Sequence, residues 1–136
     1  MDKIIKKIKD YIIIDKNIKF AYLFGSSVSK NITHISDIDI AIYLGRNVNL
    51  FSYRLKLMES LMKITGIDNI DLVVLNNAPP LLKYEVIKKN YILKDSANNR
   101  VLFETLVLQE YFDTAYVRNV QLEYMKEQIR SGSYFG

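Results

Sequence analysis

The sequence contains no cysteine and a single histidine, His34. Without cysteine there is no disulfide framework, no thiolate metal site and no thiol nucleophile. With one histidine a multi-His zinc centre is excluded, and any Ser–His–Asp triad would have to run through His34 itself. Long apolar runs are missing as well. The longest early one, Tyr11 to Ile14, falls short of the roughly 7–15 residues of a signal-peptide core, and nothing approaches the ~20 of a membrane span. Lysines interrupt the apolar residues of the N-terminal stretch. A cytoplasmic protein is expected.

What is present describes an ordinary globular chain. At 136 residues it is expected to form one domain, residues 1–136, with a core over about 18–95 and a C-terminal helix over about 98–130. Hydrophobic residues make up 49% and charged residues 25%, close to the average for folded domains. A net charge of +4 suits an anionic ligand, although a lysine-rich solvated surface accounts for most of it. It lacks the clustered positive charge of a dedicated nucleic-acid binder, so no direct nucleic-acid binding is expected.

Periodicity orders the elements. Ile4, Ile5, Ile8, Tyr11 and Ile12 share one face of a helix over residues 2–15. Ile18 to Phe24 reads as a strand that ends at Gly25-Ser26-Ser27. A polar stretch, Ser29 to Ser36, leads to a second strand, Asp37 to Leu44. Leu50, Tyr53, Leu57, Leu61 and Ile64 predict a helix from about Leu50 to Thr65, with Asn47 or Asn49 as its cap and Gly66 as its stop. Ile70 to Leu75 is a third strand, Asn76-Asn77 a turn, and Pro79-Pro80 the start of another helix. Tyr91 to Leu93 suits a short strand, and a long helix follows over about Arg100 to Arg130. The fold class expected is an α/β (α+β) mixture, a small sheet flanked by helices with a long C-terminal helix.

The chemistry lies in Gly25-Ser26, ten further residues, and then Asp37-Ile38-Asp39. Residues i and i+2 of a strand point to one face, so Asp37 and Asp39 stand side by side, with Ile38, Ile40 and Ile42 packing on the other. Two carboxylates that close repel and resist desolvation. A hard cation, Mg²⁺ or Mn²⁺, relieves both problems with oxygen ligands alone. Taken alone, Asp-x-Asp fits an exposed strand edge with two solvated aspartates better than a metal site. Gly25-Ser26 after a strand can hold phosphate oxygens or make a plain turn. Asp71 opens the third strand. If that strand lies beside the second, three carboxylates converge, and Asp71 can take a proton from an attacking hydroxyl. Asp68 competes for that role, but a turn position suits it better.

Together, Gly-Ser, ten residues, Asp-x-Asp between two strands and a third Asp opening another strand resemble the polymerase-β-like nucleotidyltransferase superfamily. The stretch Asp71 to Leu82, Tyr84 to Ile87 and the late Glu110-Tyr111-Phe112-Asp113 are similar to the same regions of its minimal nucleotidyltransferase antitoxins. The resemblance spans about residues 18–113. It implies a polymerase-β-like core with a mixed sheet and an antitoxin paired with a toxin of the HEPN ribonuclease class. It further implies Mg²⁺-dependent transfer of AMP from ATP onto a toxin tyrosine. By position, Gly25 and Ser26 would hold the triphosphate, Asp37, Asp39 and Asp71 would bind metal, with two ions possible, and Asp71 would serve as base. The toxin role is excluded, because the HEPN motif needs an Arg several residues before a His and no Arg precedes His34.

Relatives often carry Ala-Arg-Gly just after Gly-Ser. Here Val28-Ser29-Lys30 stands instead, with Lys30 the candidate phosphate contact. His34 fits a solvated loop histidine. Two other functions compete: transfer to a small molecule, as in antibiotic adenylyltransferases, which usually add a domain for the acceptor, and a binding-only antitoxin that works by occlusion. Four of the ten tyrosines, Tyr111, Tyr116, Tyr124 and Tyr134, fall in the last quarter, where they suit either a partner surface or simple exposure.

Overall fold

The computed structural model describes residues 2–25 and 38–131. Four helices and four strands follow one another along the described residues: α1 (Asp2–Ile13), β1 (Ile18–Phe24), β2 (Ile38–Leu44), α2 (Leu50–Thr65), β3 (Ile70–Val74), α3 (Pro80–Lys89), β4 (Tyr91–Lys94) and α4 (Ala97–Ser131). The strands form one sheet in the order β3-β2-β1-β4. β1 runs antiparallel to β2 and β4, whereas β2 and β3 are parallel. A parallel pair needs a long crossover, and α2 supplies it.

Alternation along the strands divides the core in two. Ala21, Leu23, Ile38, Ile40, Ile42, Leu72 and Val74 face α1 and α2, against Ile8, Ile12, Leu57 and Leu61. The register slips between Ile18 and Phe20, which brings Ile18 to that same face. Phe20, Tyr22 and Ala41 face the other way, toward Val86 and Ile87 of α3 and Val107 of α4. The Ile38/Ile40/Ile42 face expected opposite the aspartates is therefore the α1/α2 core.

Local chemistry explains the boundaries. Asn49, not Asn47, caps α2, its side chain accepting from the Ser52 amide at 3.0 Å, while Asn47 adopts a positive φ of 63° in the turn before it. Gly66 closes α2 in the left-handed region. β3 stops one residue earlier than the apolar run suggests, because Leu75–Asn77 coils into a 3-10 turn. The Asn76 side chain then donates to Leu44 O at 2.9 Å and accepts from Leu44 N at 2.8 Å, locking that turn to the end of β2. The Tyr53 hydroxyl donates to Asp15, and Lys94 Nζ donates to Asp15 O at 2.8 Å, so α2 and β4 converge on the α1–β1 turn. Burial holds the Lys94 ammonium below its ordinary pKa. Among the described residues no helix is long and apolar enough to cross a membrane.

Candidate active site

β2 and β3 pair in register with Asp39 opposite Asp71, and Ile38 opposite Ile70. Neighbouring positions of a parallel pair share a face, so the two carboxylates stand together at the start of both strands. They point to the α3/α4 side of the sheet. The third contributor comes from β1, whose last residue, Phe24, pairs with Asp39. Gly25 follows with φ of 64°, and a Cβ built there would drive into Asp39 Oδ2, with Asp39 Cγ only 3.3 Å away. Glycine is required on both counts: for the left-handed turn and for the close passage of the backbone past a carboxylate. Three segments distant in sequence thus meet at one end of the sheet because their strands are adjacent.

Arg54 reaches the site from α2. Its Nε donates to Leu72 O at 2.7 Å on the open edge of β3, and its Nη2 lies 3.6 Å from Asp71 Oδ1. The pair is part-exposed, with side-chain exposures of 35% and 57%, so the contact orients Asp71 more than it stabilises the fold. Beside it a groove of about 400 Å³ runs along the outer edge of β3, between Leu50 and Phe51 on one wall and Asn77, Pro79 and Leu82 on the other.

Of the residues singled out by the sequence, Gly25, Asp39 and Asp71 are brought together. Ser26, Lys30, His34 and Asp37, with the polar stretch between the first two strands, lie outside the described residues. Asp68 sits in the turn before β3, away from the register pair. Arg54 was not foreseen. The signal for it is its spacing: it shares the helical face of Leu50, Leu57 and Leu61, an apolar stripe where an arginine has to have a partner.

Among the described residues no group of three metal-ligating side chains is found; Asp39 and Asp71 form a pair to which Asp37 would be the third. The donor set is oxygen only, which suits a hard divalent ion. Asp39 and Asp71, side by side across the parallel pair, supply oxygen donors of that kind, so the residues present fit such an ion.

A glycine turn at a strand end, facing in-register carboxylates on two parallel strands, is an arrangement that suits phosphoryl-transfer chemistry. The polymerase β nucleotidyltransferase family matches residues 6–99, and the chain belongs to that family. Solved structures agree. A chain of a mutant MntA toxin–antitoxin superposes with a TM-score of 0.71 at 25% identity, covering 90% of this chain and 94% of that one. A toxin–antitoxin with AMP-PNP gives 0.68 at 26% identity, covering 90% and 94%. A tri-AMPylated Shewanella oneidensis HEPN toxin in complex with MNT antitoxin gives 0.63 at 25%, covering 90% and 92%. A search of curated proteins by sequence finds no match.

Proposed function

We propose that this chain is a cytoplasmic antitoxin that transfers AMP from ATP to a tyrosine of a HEPN-class ribonuclease toxin and so silences it. The observation that carries the reading is the Asp39–Asp71 register with Gly25 against Asp39. The similar structures with AMP-PNP and with an AMPylated toxin support the choice of nucleotide and acceptor.

In this reading Asp37, Asp39 and Asp71 hold Mg²⁺, as one ion or two. Bound there, the metal neutralises triphosphate charge and polarises the α-phosphate. The turn at Gly25-Ser26 places backbone amides and a hydroxyl on the phosphate oxygens. The order across the sheet then sets the geometry. The triphosphate lies toward β1, so the acceptor approaches from β3, over the groove bordered by Phe51 and Leu82. Asp71, held by Arg54, takes the proton of the tyrosine hydroxyl. The phenolic oxygen bonds to the α-phosphorus, the bond to the bridging oxygen breaks, and pyrophosphate leaves.

The test is direct. Purified chain, partner toxin, ATP and Mg²⁺ should yield toxin heavier by one or more AMP units on intact-mass analysis, with the adduct on tyrosine. Toxin that keeps its mass while still being neutralised would replace transfer by occlusion.

A further inference from the structure

The C-terminal helix α4 is 35 residues long, about 52 Å. Its first half is fastened to the body. Val107 is buried, the Tyr111 ring stacks on Tyr84 with centroids 3.7 Å apart, and Lys83 pairs with Glu110 at 3.5 Å. Arg118 lies over the Tyr111 ring, 4.8 Å from its centroid. Beyond it, every residue from 119 to 130 except Gln128 is exposed.

What is exposed is apolar on three sides. Leu122, Met125 and Ile129 continue the body-facing stripe at four- and three-residue spacing past the point where the body ends. A second stripe runs through Leu106, Val117, Val120 and Tyr124, about 120° around the helix. A third holds Val101, Phe112 and Tyr116, the last two 62% and 74% exposed. Exposed apolar side chains on three faces of one helix are more than the single, scattered ones of an ordinary surface, and they mark a surface that a partner covers. The charges at its far end do not recruit that cover, because Lys126 pairs with Glu123 and Arg130 with Glu127.

Area decides the occupant. A second copy laid along α4 would cover one stripe per helix, as in any two-helix seam. Three half-exposed aliphatic side chains fall well short of the ~800 Å² per partner that a stable interface buries. Two stripes would also stay wet. A helical partner that grips α4 on more than one side satisfies all three. Leu106 also borders a cleft of about 540 Å³ with Tyr43, Asn76 and Lys83 on its far wall, so a partner on the second stripe meets the body as well.

We infer that α4 is the docking mast for the toxin, enclosed by toxin helices on at least two of its faces. This inference rests on the antitoxin reading above, but its test needs no catalysis. The full chain and its HEPN-class toxin are mixed without ATP or metal, and affinity is measured by calorimetry and mass by light scattering. Two variants are compared: one carrying Leu122→Glu, Met125→Glu and Ile129→Glu, the other Val117→Glu, Val120→Glu and Tyr124→Glu. Each should weaken toxin binding at least about 100-fold while the melting temperature of the chain alone stays unchanged.

Toxin binding retained by both variants would overturn the inference. So would loss in one variant only, which indicates a single two-helix contact. A dimer of the chain alone that either variant dissolves, with toxin affinity intact, would assign α4 to a second copy instead. A wild-type complex that forms but gains no AMP would refute the transferase reading and leave the docking inference standing, whereas no wild-type complex would end both.

Discussion

The two faces of the sheet differ in kind. The fully buried core of the α1/α2 face is aliphatic, Ile8, Ile12, Leu57 and Leu61 over the isoleucines of β2. The α3/α4 face carries the paired carboxylates, Asp39 and Asp71, at one end, and in its middle the Tyr22 hydroxyl, which donates to Glu104 Oε1 at 2.7 Å. Strand alternation alone produces this split. Burying one face completely makes the sheet rigid enough to hold two repelling carboxylates in register on the other. The α1/α2 face is thus assigned to stability and the end of the α3/α4 face to chemistry, and substitutions on each should separate the two properties.

The largest effect is expected at the carboxylates. Asp39→Asn or Asp71→Asn should lower AMP transfer at least about 1,000-fold, because an amide neither binds the ion as an anion nor accepts the proton. Removing one of two like charges should leave thermal stability equal or higher. Intact-mass assays of the toxin beside melting curves of the variant check both halves. A variant that loses activity only because it melts would break the proposed division. The converse substitution is Leu61→Ala, on the fully buried α2 stripe. It should cost about 2–5 kcal/mol in denaturant unfolding, with kcat of the folded fraction unchanged.

Much of this arrangement was legible in the sequence, for reasons that differ between elements. β1 and α2 were bounded correctly because their signals are local: a β-branched and aromatic run for one, Asn49 and Gly66 for the other. Gly25 and Asp71 were singled out because strand ends concentrate glycine and charge. What could not be read was which strand lies beside which. The Asp39–Asp71 register is a tertiary fact, and the spacing made it only conditional. Arg54 escaped for a related reason, since its partner, Leu72 O, belongs to another element. The long helix starts at Ala97 and not near Arg100, because Arg100 N already bonds Ser96 O at 2.8 Å. Tyr22, inside an apolar strand, gave no hint that a carboxylate on α4 would meet it across 82 residues.

That tyrosine provides the smallest and most selective test of the two-face contrast. Tyr22 is fully buried; burial first, and the hydrogen bond to Glu104 second, hold its hydroxyl pKa well above the ordinary 10.0. Glu104 in turn accepts from Arg100 at 3.0 Å, and Arg100 donates to Asp95 at 2.7 Å, so the chain of bonds clips the start of α4 to β1. Tyr22→Phe removes a donor to a carboxylate that Arg100 still satisfies, and should cost about 1.5 kcal/mol at pH 7. The sign with pH then runs against the wild type. A phenol whose pKa is raised by folding stabilises the native state fully below about pH 10. Above it, the unfolded chain releases that proton while the folded one keeps it, so stability falls as pH rises. The phenylalanine variant lacks this one loss. The gap between the two proteins in urea unfolding should therefore hold from pH 6 to 9, narrow above pH 10 and close near pH 11. A gap that stays constant through that range would mean the Tyr22 proton is not held by the fold, and that the middle of the α3/α4 face is wetter than its packing indicates.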